Sequence, residues 1–226
     1  MMKRSTKGTT RRSFLGRLAR SESGVSAIEF SLIVPMMLLL MLGFTELYLY
    51  MRAKSLVEHT AFTLADSIGQ MTQVINDQSS VTQANSLASI WAAAIQLGTP
   101  NDLRKYGGVI VTSICETNST CNGLVYPNST QAQWRLTGTP KVLWSKAPVW
   151  QPSGMATNIS TTNPLPTGWP FRQGDSAIAV EVFYTYTPFS MTAPFWHNAP
   201  GAVTFHMRVF VRPRNGQALN LVSPST

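Results

Sequence analysis

One carboxylate at the mouth of an apolar segment is the residue with the most evident chemistry in this chain. Glu29 directly precedes a run that carries no charge from Phe30 to Thr45. Placing an ionised side chain in hydrocarbon costs about 2.5–3.5 kcal/mol on insertion scales, so a membrane segment that keeps one usually supplies a partner. We expect Glu29 to pair with a cation. The alternative is that Glu29 only marks the start of a helix at the membrane interface, where the cost is small.

Motifs of enzymatic catalysis do not accompany this carboxylate. The histidines are His59, His197 and His206, and the last two have no acidic residue near them in the sequence. The chain contains no Gly-x-Ser-x-Gly, phosphate-binding loop, His-Glu-x-x-His or dinucleotide-binding glycine pattern. We therefore expect no catalytic residue, no metal site and no cofactor.

The basic charge is concentrated at the N-terminus. Residues 1–24 hold seven Lys or Arg against one Glu, a net charge of +6, whereas the remainder carries only +2. A nucleic-acid-binding domain would hold its basic residues in a patch on the folded body, so this class is not expected. Basic residues before an apolar segment predict a cytoplasmic N-terminus, with the chain after residue 50 on the opposite side of the membrane.

Residues 25–50 are predicted to span the membrane once. The stretch Phe30–Tyr50 alone has 21 residues, which is enough for a helix to cross a bilayer. Tyr48 and Tyr50 stand at its outer end, where amphipathic rings prefer the interface. Pro35 is tolerated in a membrane helix but removes one backbone hydrogen bond.

Three kinds of N-terminal processing compete for this segment. A secretory signal cleaved after the apolar run would need small residues there, but Gly43–Tyr48 is bulky and charged. A twin-arginine signal matches Thr10–Leu15, although Arg17, Arg20 and Glu22 intervene before the apolar run. A lipoprotein is excluded, because no cysteine lies near residue 25. The third possibility is cleavage after Gly24, which leaves the apolar helix as the new N-terminus.

Four stretches of the chain resemble the TadE/TadG-like minor pilins (pseudopilins) of the tight-adherence, or Flp, pilus. They are Gly24-Val25-Ser26-Ala27-Ile28-Glu29-Phe30, Ile33-Val34-Pro35, Gly43-x-x-Glu46 and Met207-Arg208-Val209-Phe210-Val211-Arg212-Pro213-Arg214. The resemblance implies that a prepilin peptidase cleaves after Gly24, so that Val25 becomes the first residue and Glu29 the fifth. Phe30 then occupies the sixth position, where many Flp-type pilins have tyrosine.

The resemblance also implies a function and a set of partners. A protein of this family would be an inner-membrane precursor that is needed for pilus biogenesis and surface adherence. Its partners would be other Tad minor pilins, the major Flp pilin, the prepilin peptidase and the inner-membrane assembly platform. The position of this chain at the tip or the base of the fibre, or in its regulation, does not follow from the resemblance.

Cleavage after Gly24 would itself supply the missing cation. The new α-amino group of Val25 has a reference pKa of about 7.7–8.0 and is largely protonated at neutral pH. Val25 and Glu29 are four residues apart, so a helix places them on one face. The amine can therefore pair with Glu29 of the same subunit or of a neighbour packed beside it.

The rest of the chain predicts an α+β, pilin-like fold. Residues 51–98 are expected to form an extracytoplasmic helical stalk, in which a first helix continues to about Asn76 and a second follows with Leu87, Ala88, Trp91, Ala94 and Ile95 on one face. Residues 99–226 are expected to form a β-rich domain with a long Pro/Gly-rich loop at 147–174. The predicted strands are Val109–Ile114, Ala132–Leu136, Val142–Trp144, Ala177–Thr187 and Val203–Val211.

Two further features bear on the compartment. Cys115 and Cys121 are close in sequence and have no nearby histidine or third cysteine, which favours a small disulfide loop in an oxidising compartment over a zinc site. Matches to the N-glycosylation pattern begin at Asn118, Asn128 and Asn158. These matches favour the rival interpretation, an uncleaved type II membrane-anchored protein whose extracytoplasmic domain binds a ligand.

Overall fold

The computed structural model describes residues 22–117, 137–195 and 197–224, with side chains from Val25 onward. The helices are α1 (Glu22–Gly69), α2 (Leu87–Leu97) and α3 (Leu103–Tyr106), with a 3-10 turn at Ala193–Phe195. The strands are β1 (Gln73–Ile75), β2 (Gly107–Glu116), β3 (Pro140–Lys146), β4 (Ser176–Tyr186), β5 (Val203–Val211) and β6 (Asn220–Val222). The fold is α+β, as predicted.

The described residues fall into two compact units. One contains the part of α1 up to Leu47 together with Phe189–Ala199, and the other contains Tyr48–Pro188 and the residues from Pro200 onward. The second unit holds both sheets. Its larger sheet is antiparallel with the strand order β3-β2-β4-β5, and a small sheet pairs β1 with β6 in parallel.

One face of the larger sheet packs against the helices of the second unit. The second half of α1 buries a stripe at helical spacing, α2 buries Leu87, Ile90, Trp91 and Ala94, and β4 contributes alternate residues. These side chains form one apolar cluster that includes Val57, Ala61, Leu64, Ala65, Ile68, Ile178, Val180, Val182 and Tyr184. Period 3.6 in the helix and period 2 in the strand place these residues on facing surfaces, as the sequence predicts.

The opposite face of the sheet is covered by the Pro/Gly-rich loop. Ile159 and Phe171 of the loop are buried against Ile114, Ala177 and Ala179 of β2 and β4, and Trp169 packs at the edge of this cluster. The loop aromatics therefore act as packing groups. Because both faces are covered, β2 is buried along its entire length.

Four of the five predicted strands are present: β2 and β3 extend two residues beyond each predicted end, β4 begins and ends one residue earlier than predicted, and β5 has the predicted ends. The fifth, Ala132–Leu136, lies outside the described residues. The prediction that α1 continues to about Asn76 is wrong, because α1 ends at Gly69 and Gln73–Ile75 form β1. Val74 and Ile75 continue the apolar spacing of the helix, but they are buried by pairing with Leu221 and Val222 at the far end of the chain.

The start of α2 is fixed by its N-cap. The Ser86 hydroxyl accepts a hydrogen bond from the backbone N–H of Ser89 at 3.1 Å. A serine at this position satisfies one of the backbone donors that a helix leaves unpaired in its first turn. Upstream, the Asp77 carboxylate accepts from the hydroxyl and the backbone N–H of Ser79, and these hydrogen bonds lower the pKa of Asp77.

A tight contact at Gly138 joins the loop to the short segment that precedes β3. Its backbone N–H donates to the Phe171 carbonyl at 3.1 Å, and a Cβ added at this glycine would lie 2.3 Å from the Arg172 carbonyl oxygen. We expect Gly138→Ala to lower the free energy of unfolding by roughly 1–3 kcal/mol, because backbone cannot yield as a side chain does. Urea unfolding followed by near-UV circular dichroism would measure the loss.

Gly201→Ala is the matched control for this substitution. No atom lies within 4 Å of a Cβ built on Gly201, and its φ is not in the left-handed region. We expect the control to change the free energy of unfolding by less than about 0.5 kcal/mol. Equal stability of the two variants would show that the loop moves away from Gly138 without cost.

Candidate assembly site on the N-terminal helix

The first half of α1 presents its apolar side chains to the surroundings. The helix is long and apolar enough to cross a membrane, and no residue of its most apolar stretch is buried inside the protein. Phe30 is 71% exposed, and Leu32, Met36, Met41 and Phe44 are exposed to a similar degree. A core helix of a soluble domain would bury one face, so this helix requires lipid or other helices around it.

The predicted processing and pairing residues lie at the beginning of this helix. Gly24 is in the first turn, and Val25 and Glu29 follow on one continuous helical segment, one turn apart. Val25, Glu29 and Phe30 are all exposed. Among the described residues, no cation lies within ion-pair distance of Glu29. The unprocessed chain has no α-amino group at Val25, so the proposed pair belongs to the cleaved form only.

A second glutamate of α1 has its partners within the described residues. Glu46 is only 3% exposed, and its carboxylate accepts from the backbone N–H groups of Met191 at 2.6 Å and Thr192 at 3.1 Å. It also accepts from the Thr192 hydroxyl. At the residue before Glu46, the Thr45 hydroxyl donates to the Met41 carbonyl at 2.8 Å and is satisfied within the helix. Sequence reasoning identified Glu46 only as part of a motif and did not find its partners.

The C-terminal Arg-Pro-Arg segment holds the end of α1. The Arg214 backbone N–H donates to the Gly69 carbonyl at 2.9 Å, and its guanidinium contacts the Asp66 carboxylate at 2.8 Å. Arg212 contacts Asp175 at 3.2 Å. A helix leaves its last carbonyls without backbone partners, and Arg214 satisfies one of them. This segment therefore has a structural role in the second unit.

A buried charged cluster that the sequence did not reveal lies on β4 and β5. Glu181 is fully buried, and its carboxylate accepts from His206 Nε2 and Arg208 Nε, each at 3.0 Å, and from the Asn158 backbone N–H at 3.3 Å. The Thr157 hydroxyl also donates to it. The other ring nitrogen of His206, Nδ1, lies 3.4 Å from the side-chain amide nitrogen of Asn158, so within the described residues the histidine is not hydrogen-bonded to a nucleophilic hydroxyl. The geometry is that of a satisfied ion pair and not of a catalytic triad.

The remaining predicted residues are placed as follows. Cys115 is buried near the end of β2, but Cys121 lies outside the described residues, so the disulfide stays a prediction. His59 is on α1 beside a shallow groove that Tyr48, Met51 and Arg52 line. No group of three or more His, Cys, Asp or Glu side chains within residues 22–117, 137–195 and 197–224 has a geometry that could hold a metal ion.

Comparison with known proteins finds a match in the N-terminal helix. Residues 24–66 match the family model described as TadE-like protein. This part of the N-terminal helix is similar to TadE-like proteins. The match covers α1 from Gly24 nearly to its end, and it includes Val25, Glu29, Phe30 and Glu46. It associates the chain with a Tad pilus system, and the long exposed apolar helix indicates single-pass membrane anchoring. No curated protein and no solved structure is detectably similar to the chain.

Proposed function

We propose that this TadE-like protein is a minor pilin of a Tad pilus, stored in the inner membrane as a precursor and cleaved after Gly24. The observation that carries the proposal is the TadE-like match over residues 24–66, where Glu29 has no cationic partner among the described residues and lies near the start of an exposed apolar helix. The N-terminus would be cytoplasmic and the β-rich domain extracytoplasmic. The function requires binding and packing by this chain, with no catalysis and no cofactor.

The exposed surface of α1 supports both stages of this life cycle. In the membrane, its apolar side chains contact lipid, which anchors the subunit. On extraction into a fibre, the same side chains must be buried again, and the similar helices of other Tad minor pilins or the major pilin offer a surface of matching chemistry. Burial of apolar area at about 25 cal/mol per Å² provides the driving force in a fibre surrounded by water.

Glu29 supports the proposal because it is exposed within this surface. Before cleavage it has no cationic partner among the described residues. After cleavage the protonated amine of Val25 would lie one helical turn away, or beside it on an adjacent subunit. A charge pair within an apolar helix bundle would favour one register between subunits, since sliding would separate the two charges.

Leader removal tests the proposal directly. We expect the protein isolated from its own host to begin at Val25, because the prepilin peptidase would cleave the Gly24–Val25 bond. N-terminal sequencing or intact-mass measurement of the membrane-bound protein decides this. Recovery of chains that retain Met1 would contradict the proposal and favour the uncleaved type II anchor, as would a shift in gel mobility on treatment with glycosidase.

Fibre association provides a second, independent readout. Sheared surface fibres from the host should contain the processed protein together with the major pilin, at a much lower amount. Deletion of the prepilin peptidase should abolish both processing and recovery in the fibre fraction. Processing without any fibre-associated protein would restrict the role of the chain to assembly at the membrane.

A further inference from the structure

A short apolar loop is held against α1 at the point where the helix leaves its uncharged run. The loop, Phe189–Ala199, belongs to the same compact unit as the first half of α1 and contains no Asp, Glu, Lys or Arg. It is joined to the helix by the three hydrogen bonds that Glu46 accepts from Met191 and Thr192. The two contacting positions are about 146 residues apart in sequence, so the loop is placed there by tertiary structure.

The depth of this contact follows from helix geometry. At a rise of about 1.5 Å per residue, the segment from Val25 to Thr45 is about 31 Å long, which matches a hydrocarbon core of about 30 Å. Glu46 is the next residue, so its carboxylate falls at the edge of the hydrocarbon. An unsatisfied carboxylate at this depth would be costly, and the loop provides two backbone N–H groups and a hydroxyl to satisfy it.

Two backbone hydrogen bonds lie within the loop, and two of its apolar side chains are exposed. The Ala193 N–H donates to the Phe189 carbonyl at 2.7 Å, and the Phe195 N–H donates to the Thr192 carbonyl at 2.9 Å. Phe189 has a φ of 58°, a strained value for a bulky residue that tertiary contacts must maintain. Phe195 is 70% exposed and Met191 is 45% exposed. Irregular backbone is tolerated next to lipid only when its polar groups are satisfied in this way.

We propose that Phe189–Ala199 is a second membrane-contacting element, in which Phe195 and Met191 lie in the phospholipid interface beside the end of the membrane helix. Met41, Phe44 and Leu47 are exposed apolar residues of α1 that lie close to Glu46 along the helix. The exposed apolar residues of this unit therefore come from both α1 and the loop. Aromatic side chains favour this interfacial depth. The inference rests on membrane anchoring by α1 and does not require assembly into a fibre.

Site-specific photocrosslinking tests this inference on the full-length chain. The crosslinking amino acid p-benzoylphenylalanine would replace Phe195, Met41 or Val149 in three separate variants, each reconstituted in vesicles of phosphatidylethanolamine and phosphatidylglycerol. Met41 is an exposed residue of the membrane helix, whereas Val149 is an apolar residue of the other unit that is 88% exposed. After irradiation, intact-mass measurement distinguishes a phospholipid adduct from a crosslinked pair of chains.

We expect phospholipid adducts at positions 41 and 195, and about tenfold less at position 149, as the burial energy of one aromatic side chain predicts. Equal capture at 149 and 195 would overturn the proposal, since exposure alone would then explain it. Crosslinking at 195 only to a second copy of the chain would also overturn it. Absence of adducts at both 41 and 195 would refute membrane anchoring itself. Fibre association would then still be tested separately, by the sheared-fibre experiment.

Two further variants test whether the hydrogen bonds to Glu46 hold the loop in place, without changing the exposed apolar residues of the loop. With the crosslinker at position 195, Thr192→Val removes the hydroxyl donor and Glu46→Leu removes the acceptor of all three hydrogen bonds. We expect a small loss of phospholipid adduct in the first variant and a large loss in the second, with capture at position 41 unchanged. Undiminished capture at 195 in the Glu46→Leu variant would contradict the role of this carboxylate in placing the loop.

Discussion

Replacing Glu181 by alanine should lower the free energy of unfolding by about 3 kcal/mol, the lower end of the range for breaking a buried ion pair. The Glu181 side chain is fully buried, whereas those of His206 and Arg208 are 25% and 29% exposed. Loss of the carboxylate leaves the guanidinium and the Asn158 N–H without their acceptor. Partial exposure lets water reach the His206 and Arg208 side chains, which places the expected loss at the lower end. Urea unfolding of the full-length chain in detergent micelles would measure it.

Glu58→Ala is the matched control for this prediction. Glu58 lies on the surface of α1, 4.0 Å from Lys54, and both side chains are well exposed. Exposed pairs at this spacing contribute about 0.3–0.5 kcal/mol, so this change should be small. Glu181→Gln should fall between the two, since the amide keeps one oxygen acceptor but loses the charge. Equal stability of Glu181→Ala and Glu58→Ala would show that the buried cluster does not stabilise the fold.

Replacing Glu29 by leucine should leave leader cleavage intact but remove the protein from the fibre. The substitution leaves the Gly24–Val25 bond unchanged, so a mature chain beginning at Val25 should still form. It removes the acceptor that the new α-amino group requires, in a segment where a lone charge is costly. We expect the amount of processed protein in sheared fibres to fall by about tenfold or more, as the loss of 1.4 kcal/mol or more would produce. Quantitative immunoblotting of membrane and fibre fractions would measure it.

Glu29→Asp is the control that preserves the charge. The shorter carboxylate can still approach the amine one helical turn away, so this variant should retain most of the fibre-associated protein. Normal fibre numbers and normal incorporation in the Glu29→Leu variant would contradict the pairing. They would favour the alternative in which Glu29 only begins the helix at the membrane interface.

Local patterns predicted much of this fold correctly. The alternation of Ile178, Val180 and Val182 predicted a strand with one face toward the helices, and the structure buries these residues in the helix-facing cluster. The uncharged run after Glu29 predicted an exposed apolar helix. Both predictions depend on residues close together in the chain, whose spacing determines which face they share. The prediction from spacing was wrong after Gly69, because the two apolar residues Val74 and Ile75 fit a helix and a short strand equally well.

The amino-acid sequence by itself determined the apolar helix, its exposed N-terminal glutamate, the α+β succession of elements and the resemblance that the TadE-like match supports. Only the tertiary structure decided which residues meet across the chain: Glu46 with Thr192, Glu181 with His206 and Arg208, and Gln73–Ile75 with Asn220–Val222. Helices and strands are specified by local periodicity, whereas these contacts join residues that the chain brings together only after it folds. A single sequence contains no local signal of such pairings, because the hydrogen bonds and charges that satisfy a buried carboxylate come from other elements.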